Sequence, residues 1–280
     1  MKKGPLSVFA ILLLSTACAT TRTVPSVQPA PPAAPAEVSA PAERPGPSLS
    51  LFPELKRDAV HIATAPFHWE GSDWAKFGLG VAAVGGAVLL DQDLRHAVDR
   101  NSSGSLRGIA NTVAPFGSEY SFGVLGAFFL GGKFLKNEKA LSVAEDGLAS
   151  SLIAAGVISP ILKVAIGRDR PSQTDSTFAR GGMSFPSGHA TQAFAVASVI
   201  AAHYDSPWVK DAAYGLAGLV GLARMEQGEH YASDVLPGAL IGTAVGNAVV
   251  RFHNSERLRI SFAPSMNPRA RGVALTLSLR

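Results

Sequence analysis

The chain has 280 residues, 47% of them hydrophobic and 16% charged, and a formal net charge of +4. That charge falls to +2 once Lys2 and Lys3 leave with an N-terminal signal, and no Lys/Arg run or aromatic platform accompanies it, which excludes a nucleic-acid partner. Cys18 is the only cysteine, which excludes an intrachain disulfide.

Residues 1–17 have a basic start, an apolar run over 8–14 and small residues before Cys18, the pattern of a signal peptide too short to span a bilayer. Cys18, preceded by Leu14-Ser15-Thr16-Ala17, resembles a bacterial lipoprotein processing site, although Ser15 stands where a large aliphatic residue is usual. Ordinary cleavage after Ala19, using the small pair Ala17 and Ala19, is the rival reading. An acylated Cys18 would tether the mature chain, each buried methylene adding about 0.8 kcal/mol of membrane affinity. Residues 18–50 are dominated by Pro, Ala, Ser and Val and bury too little apolar surface to offset their ordering entropy. They read as a semi-extended, lipid-anchored linker.

Residues 51–254 suffice for one domain with a sizeable core. Leu51, Leu55, Val60 and Ile62 fall near one face of an amphipathic helix over 51–68, with Phe67, Trp69 and Trp74 close behind, for core packing or for docking on a membrane surface. Six apolar runs follow, over 77–90, 120–132, 147–162, 190–202, 212–223 and 235–250. They are rich in Ala, Gly, Leu and Val without strict alternation, so the expected fold is all-α, a six-helix bundle. The runs are 12–16 residues long, short of the roughly 20 of a comfortable span, which favours a peripheral domain held by its lipid anchor over one held by its helices. Over 255–280 the period changes: Leu258, Ile260 and Phe262 alternate with polar neighbours, as do Val273, Leu275, Leu277 and Leu279, with Asn267-Pro268 between them. This predicts a short C-terminal β-hairpin packed on the helices.

Three strings carry the chemistry. Lys163 is followed after six residues by Arg170-Pro171; then comes Pro186-Ser187-Gly188-His189; then Arg224, five residues, His230, three residues, Asp234. Three cations, two imidazoles and a carboxylate suit a phosphate group, with cations to neutralise it, one imidazole to attack and another to protonate the leaving oxygen. His230 and Asp234 share a helix face, so the carboxylate can fix the ring's tautomer: His230 is the candidate nucleophile and Asp234 its orienter. Ser187 and Gly188 open a helix whose free N–H groups and positive dipole end suit an anion, and His189 is the candidate general acid. Lys163, Arg170 and Arg224 are placed to cradle the phosphoryl oxygens. Arg168 reads as a rim contact and Asp169 as a solvated or structural charge. The histidines at 61, 68, 96, 203 and 253 show no ligand-like pairing, so no metal and no cofactor is expected.

Together these motifs resemble the type-2 phosphatidic acid phosphatase and vanadium haloperoxidase superfamily, which also holds the bacterial class A acid phosphatases. The resemblance runs from about Lys163 to Gly238, and more loosely back towards Trp74; one departure is Ala223, where the family pattern has Ser. It implies an acid phosphatase/haloperoxidase-like bundle in which His230 attacks phosphorus to give a phosphohistidine that water hydrolyses. The expected activity is metal-independent hydrolysis of a phosphorylated lipid, such as phosphatidate or an isoprenyl diphosphate, on the periplasmic side of a bacterial envelope membrane, the outer membrane included. A broad-specificity periplasmic acid phosphatase for small phosphate esters is the alternative, with a vanadium haloperoxidase or a catalytically silent envelope lipoprotein behind it.

Overall fold

The computed structural model describes residues 51–264 and 273–279, with side chains over 53–255. Signal, Cys18 and linker lie outside the described residues. The helices are α1 (Leu51–Thr64), α2 (Gly71–Asn101), α3 (Gly104–Val113), α4 (Glu119–Phe134), α5 (Glu138–Ile153), α6 (Ser159–Ile166), α7 (Gly188–His203), α8 (Pro207–Glu226) and α9 (Ala232–Arg257). α5 and α6 form one rod, joined by a π turn at Ala154–Ile158. Pro160 follows that turn directly and has no N–H to give the ladder, so the wider turn falls where an α-helical bond is missing anyway.

Eight helical rods are thus seen among the described residues, against the six predicted. The six apolar runs each lie in one rod, α1 covers most of the amphipathic helix expected over 51–68, and α3 is the addition. α3 was missed because Ser102, Ser103, Gly104 and Arg107 hide a short helix whose start is capped by the Ser103 side chain, accepting from the Leu106 N–H at 3.2 Å. No strand occurs within the helical body. Beyond it, Leu258–Pro264 and Val273–Leu279 run antiparallel with Leu258 opposite Leu279; the predicted packing of a hairpin onto the helices lies outside the described residues.

α7 is the central rod. Its Ala195 packs with Ile153, Ala154, Val245 and Val249, and its Ala193 and Ala197 pack with Ala217 and Val220. Small residues set the spacing between α7 and α9. A Cβ on Gly238 would lie 2.7 Å from the Ser187 carbonyl oxygen, and Cβ atoms on Gly242 and Gly246 would run into Thr191 O and Ser198 Oγ. One turn apart on α9, these glycines let the two backbones approach and bring the starts of both helices to the same place.

At the far end of the bundle, four elements share a buried charge network. His253 Nδ1 and His203 Nε2 meet the two oxygens of Asp146 at 2.6 and 2.7 Å, and His253 Nε2 lies 3.1 Å from Asp58. His203 and His253 thus converge on one carboxylate, a meeting that their spacing along the chain does not announce. This network fixes α1 across α5, α7 and α9.

The length argument against membrane spans also fails. Charged residues at the edges of the apolar runs do not end the helices, which continue through them to 31 residues in α2, 29 over Glu138–Ile166 and 24 over Ala232–Ser255, each long and apolar enough to cross a membrane. α3 and α4, bent by 54° at their junction, pass the same test as a pair. α2 lies against the outside of the body and exposes Phe77, Leu79, Val81, Leu89 and Leu90.

Candidate active site

All three motifs end at one pole of the bundle. Gly167 stops α6 by adopting φ 62°, which a residue with a Cβ resists, while its N–H donates to the Lys163 carbonyl at 2.8 Å. Lys163, in the last turn of α6, reaches the Met183 carbonyl through Nζ at 2.6 Å and stands beside the start of α7, its Cε 3.8 Å from where a Cβ on Gly188 would sit. The Ser187 hydroxyl accepts from the Ala190 N–H at 3.4 Å as the cap of α7. Ser187 also donates its own N–H to the Asp234 carbonyl at 2.9 Å, tying the start of α7 to the start of α9. His189 is half-buried beside Gly117, where a Cβ would come within 2.6 Å of the His189 carbonyl oxygen.

His230 and Asp234 are both buried. His230 Nδ1 lies 3.8 Å from Asp234 Oδ2 and 3.4 Å from Ser184 Oγ. The sequence predicted a direct bond between ring and carboxylate. Instead Asp234 Oδ2 accepts from the Ser184 hydroxyl and from the Tyr231 N–H at 2.8 Å, and this pair draws it back to ion-pair distance from the ring. Ser184 was not foreseen: it stands two residues before the Pro186-Ser187-Gly188-His189 turn and belongs to no spacing rule.

Arg168, expected at the rim, is buried and is the hub of the site's foundation. Its Nη1 donates to Asp234 Oδ1 at 2.7 Å and its Nη2 to Asp91 Oδ2 at 2.7 Å, with side-chain exposures of 8% for the arginine and 0% for both acids. Nε donates to the Thr177 carbonyl at 2.9 Å, and the guanidinium lies 4.3 Å from the Tyr231 ring centroid. Asp91, from α2, also accepts from the Ser233 N–H at 3.0 Å and from the Ser233 hydroxyl. A planar fork with five donors is the side chain that can bridge two buried carboxylates at once. Asp91 was overlooked because one acid at the end of an apolar run looks solvated.

Arg170 and Arg224 come from different segments and meet on Glu229. Arg170 Nη1 pairs with Glu229 Oε2, and Arg224 Nη2 lies 3.3 Å from that same oxygen. Arg224 Nη1 donates to Gln227 Oε1 at 2.6 Å. Where the family pattern has Ser, Ala223 packs against Ala110 of α3 and Ala114 just beyond its end.

Burial drives the His230 imidazole below its ordinary pKa, assisted by Lys163 and Arg224 and opposed by Asp234. His189 is pushed down to about 4, chiefly by burial, then by Arg224 and His230, with Glu119 opposing. Both rings are therefore neutral at pH 7 in the empty site. His230 offers a lone pair rather than a proton. Among the described residues no group of three or more His, Cys, Asp or Glu is placed to hold a metal ion; the site carries its own positive charge on Lys163, Arg170 and Arg224. Beside His230 a cavity of about 380 Å³ opens between α2, α3 and the end of α8, lined by Arg95, Arg107, Asn111 and Gln227 among others.

A family profile described as the PAP2 superfamily matches residues 147–258. The lipid A 1-phosphatase of Porphyromonas gingivalis is 39% identical over 127 residues, which cover 45% of this chain and 25% of that protein; the chain thus spans about a quarter of the length of this curated relative. Among solved structures, LpxE of Aquifex aeolicus superposes with a TM-score of 0.48 at 26% identity, covering 58% of this chain and 95% of that one. The transmembrane PAP2-type phosphatidylglycerolphosphate phosphatase of Bacillus subtilis gives 0.48 at 23% identity, covering 74% and 95%.

Proposed function

We propose, from the match of residues 147–258 to the PAP2 superfamily profile, that the chain is a PAP2-type, metal-independent phosphatase acting on a phosphate carried by a membrane lipid. The observation that carries this reading is the convergence at one pole of a buried, neutral His230, a half-buried His189 and three cations from two separate motifs. His230 Nε2 attacks phosphorus, while Asp234, braced by Arg168, Ser184 and the Tyr231 N–H, keeps the proton on Nδ1. Lys163, Arg170 and Arg224, with Ser187 and the N–H groups at Gly188, hold the equatorial oxygens as charge redistributes in the transition state. His189 gives its proton to the leaving oxygen, then takes one from the water that cleaves the phosphohistidine and returns neutral His230.

His189 is neutral in the empty site, so the proton it delivers arrives with the substrate. A phosphate monoester entering as its monoanion brings one, and the negative charge of the bound group favours the imidazolium that receives it.

The lipid reading rests on the long apolar helices and on the relative that is a lipid A 1-phosphatase. α2, Glu138–Ile166 and Ala232–Ser255 cross the bilayer, and the ring cluster of Trp69, Trp74 and Phe77 at the start of α2 sits at the interface opposite the site, with Trp69 and Trp74 4.9 Å apart. Exposed apolar side chains such as Leu89, Ile161 and Val164 then face lipid. The substrate class is a glycolipid phosphate, as in the relative's name, or an isoprenyl diphosphate or phosphatidate. An N-terminal signal and acylated Cys18 would place the domain in the bacterial envelope, facing the periplasm.

The test is phosphate release by the purified full chain in detergent with chelator, from a lipid A-type glycolipid, an isoprenyl diphosphate, phosphatidate and p-nitrophenyl phosphate. We expect release that vanadate inhibits, a lipid substrate preferred, and loss of nearly all activity in His230→Ala. A folded His230→Ala protein with undiminished turnover would remove the nucleophile assignment, and no release from any substrate would remove the phosphatase.

A further inference from the structure

Glu229, immediately before His230, belongs to no motif, yet its carboxylate meets two of the three motif cations. One atom, Oε2, pairs with Arg170 Nη1 and lies 3.3 Å from Arg224 Nη2. The arginines come from either side of the chain's longest interval between motifs and share no other acid at their guanidiniums among the described ion pairs. The contact is also incomplete as a permanent structural bridge. Arg224 Nε is buried with no hydrogen-bond partner, a donor that one shared carboxylate oxygen leaves over and a tetrahedral oxyanion could take.

The Glu229 backbone is fixed: its N–H donates to the Arg224 carbonyl at 3.1 Å, and Gly228 before it accepts from the Ser172 N–H at 3.0 Å. Its side chain is 28% exposed and that of Arg170 39%, so the carboxylate can swing outward without moving the nucleophile beside it.

We propose that Glu229 is an internal stand-in for phosphate, holding Arg170 and Arg224 in the empty site and competing with the phosphate group for them. When the phosphohistidine is hydrolysed, the product leaves a pair of cations that already have a partner to return to. Inorganic phosphate is therefore bound weakly and released readily. Glu229 is a specificity-determining residue that sets affinity for the anion, and it takes no part in bond making. The inference rests on the phosphatase reading above.

The experiment measures inhibition by inorganic phosphate and by vanadate, together with direct calorimetric titration of phosphate, for the full chain and for Glu229→Gln. The amide keeps the shape and removes the charge. We expect both anions to bind on the order of tenfold more tightly, a change of about 1.4 kcal/mol, and steady-state turnover to fall as product release slows. If Glu229 only holds the arginines in place, Glu229→Gln will bind both anions more weakly or unchanged, and the proposal is overturned. Glu229→Asp, too short to meet both guanidiniums, is the companion: we expect its affinity between those of the wild type and Glu229→Gln, and it answers the same question if the amide variant fails to fold. A wild-type chain that neither binds vanadate nor releases phosphate would instead indict the phosphatase reading, so the two failures are distinguishable.

Discussion

Arg168→Met removes the one charge that holds two buried carboxylates, and the consequences can be worked from the structure. Asp91 keeps the Ser233 N–H and hydroxyl, and Asp234 keeps Ser184 and the Tyr231 N–H, so each retains neutral donors and loses its charged one. A hydrogen bond to a charged group contributes about 1.5–3 kcal/mol, and breaking a buried pair costs about 3–5 kcal/mol. We expect destabilisation in the upper part of that range, because two acids are stranded rather than one. For a domain of this size that lowers the melting temperature by about 6–20 °C. Asp234 also loses the contact that aims it, and a displaced imidazole costs roughly 10²-fold in turnover. The assay pairs thermal unfolding in detergent with phosphate release, on Arg168→Met and on Arg168→Met with Asp91→Asn. The second change should recover part of the stability, by removing one stranded charge, and none of the activity. Arg168→Met with wild-type melting and turnover would refute the reasoning, as would a double variant that recovers activity.

Other predictions follow from the same geometry. Because both imidazoles are neutral in the empty site, kcat/KM should peak below neutrality, falling on the acid side as His230 gains a proton and on the alkaline side as the substrate loses its second proton, near pH 6; a rate that climbs steadily through pH 8 contradicts this. His189→Ala should lose about 10²–10⁴-fold on a lipid alkoxide leaving group and far less on p-nitrophenyl phosphate, whose leaving group needs no proton, and equal losses on both would remove the general-acid role. Gly242→Ala drives a methyl into the Thr191 carbonyl and should cost about 1–3 kcal/mol by forcing α7 and α9 apart, read as a lower melting temperature; an unshifted melt would mean the helices are not packed as described. Ser184→Ala should lower kcat more than it raises KM, since the hydroxyl acts on Asp234 and not on the substrate.

What could be read from the sequence was what lies close along the chain. Apolar runs gave six of the eight rods, and motif spacing picked out residues that gather at one pole of the bundle, because a helix turn or a loop start is a local event. The residues that were missed or misread act at long range. Asp91 is 77 residues from Arg168 and 142 from Ser233, and nothing in their spacing announces that they meet. Arg168 stood close to motif residues and was taken for a rim contact, although its burial is set by α2 from another part of the chain. Glu229 filled one of the five places between Arg224 and His230, where any residue fits the pattern, and its role shows only once Arg170 arrives from the other side. The span lengths were misjudged for a simpler reason: Asp, Arg, Glu and Lys are good enough helix formers at helix ends that an apolar run underestimates the rod carrying it.

The Asp91 contact has a consequence for where the catalytic unit begins. Every motif residue lies within 147–258, and a fragment cut there would hold all the groups proposed to touch phosphate. It would lack α2 and with it one of the two counter-ions of a guanidinium buried at the base of the nucleophile's support. In such a fragment Arg168 would lose one of its two buried anionic partners, and would be drawn towards water or onto Asp234 alone. The segment that looks dispensable, an outer helix without a motif, is therefore an internal part of the proposed catalytic unit, and a minimal version should include α2.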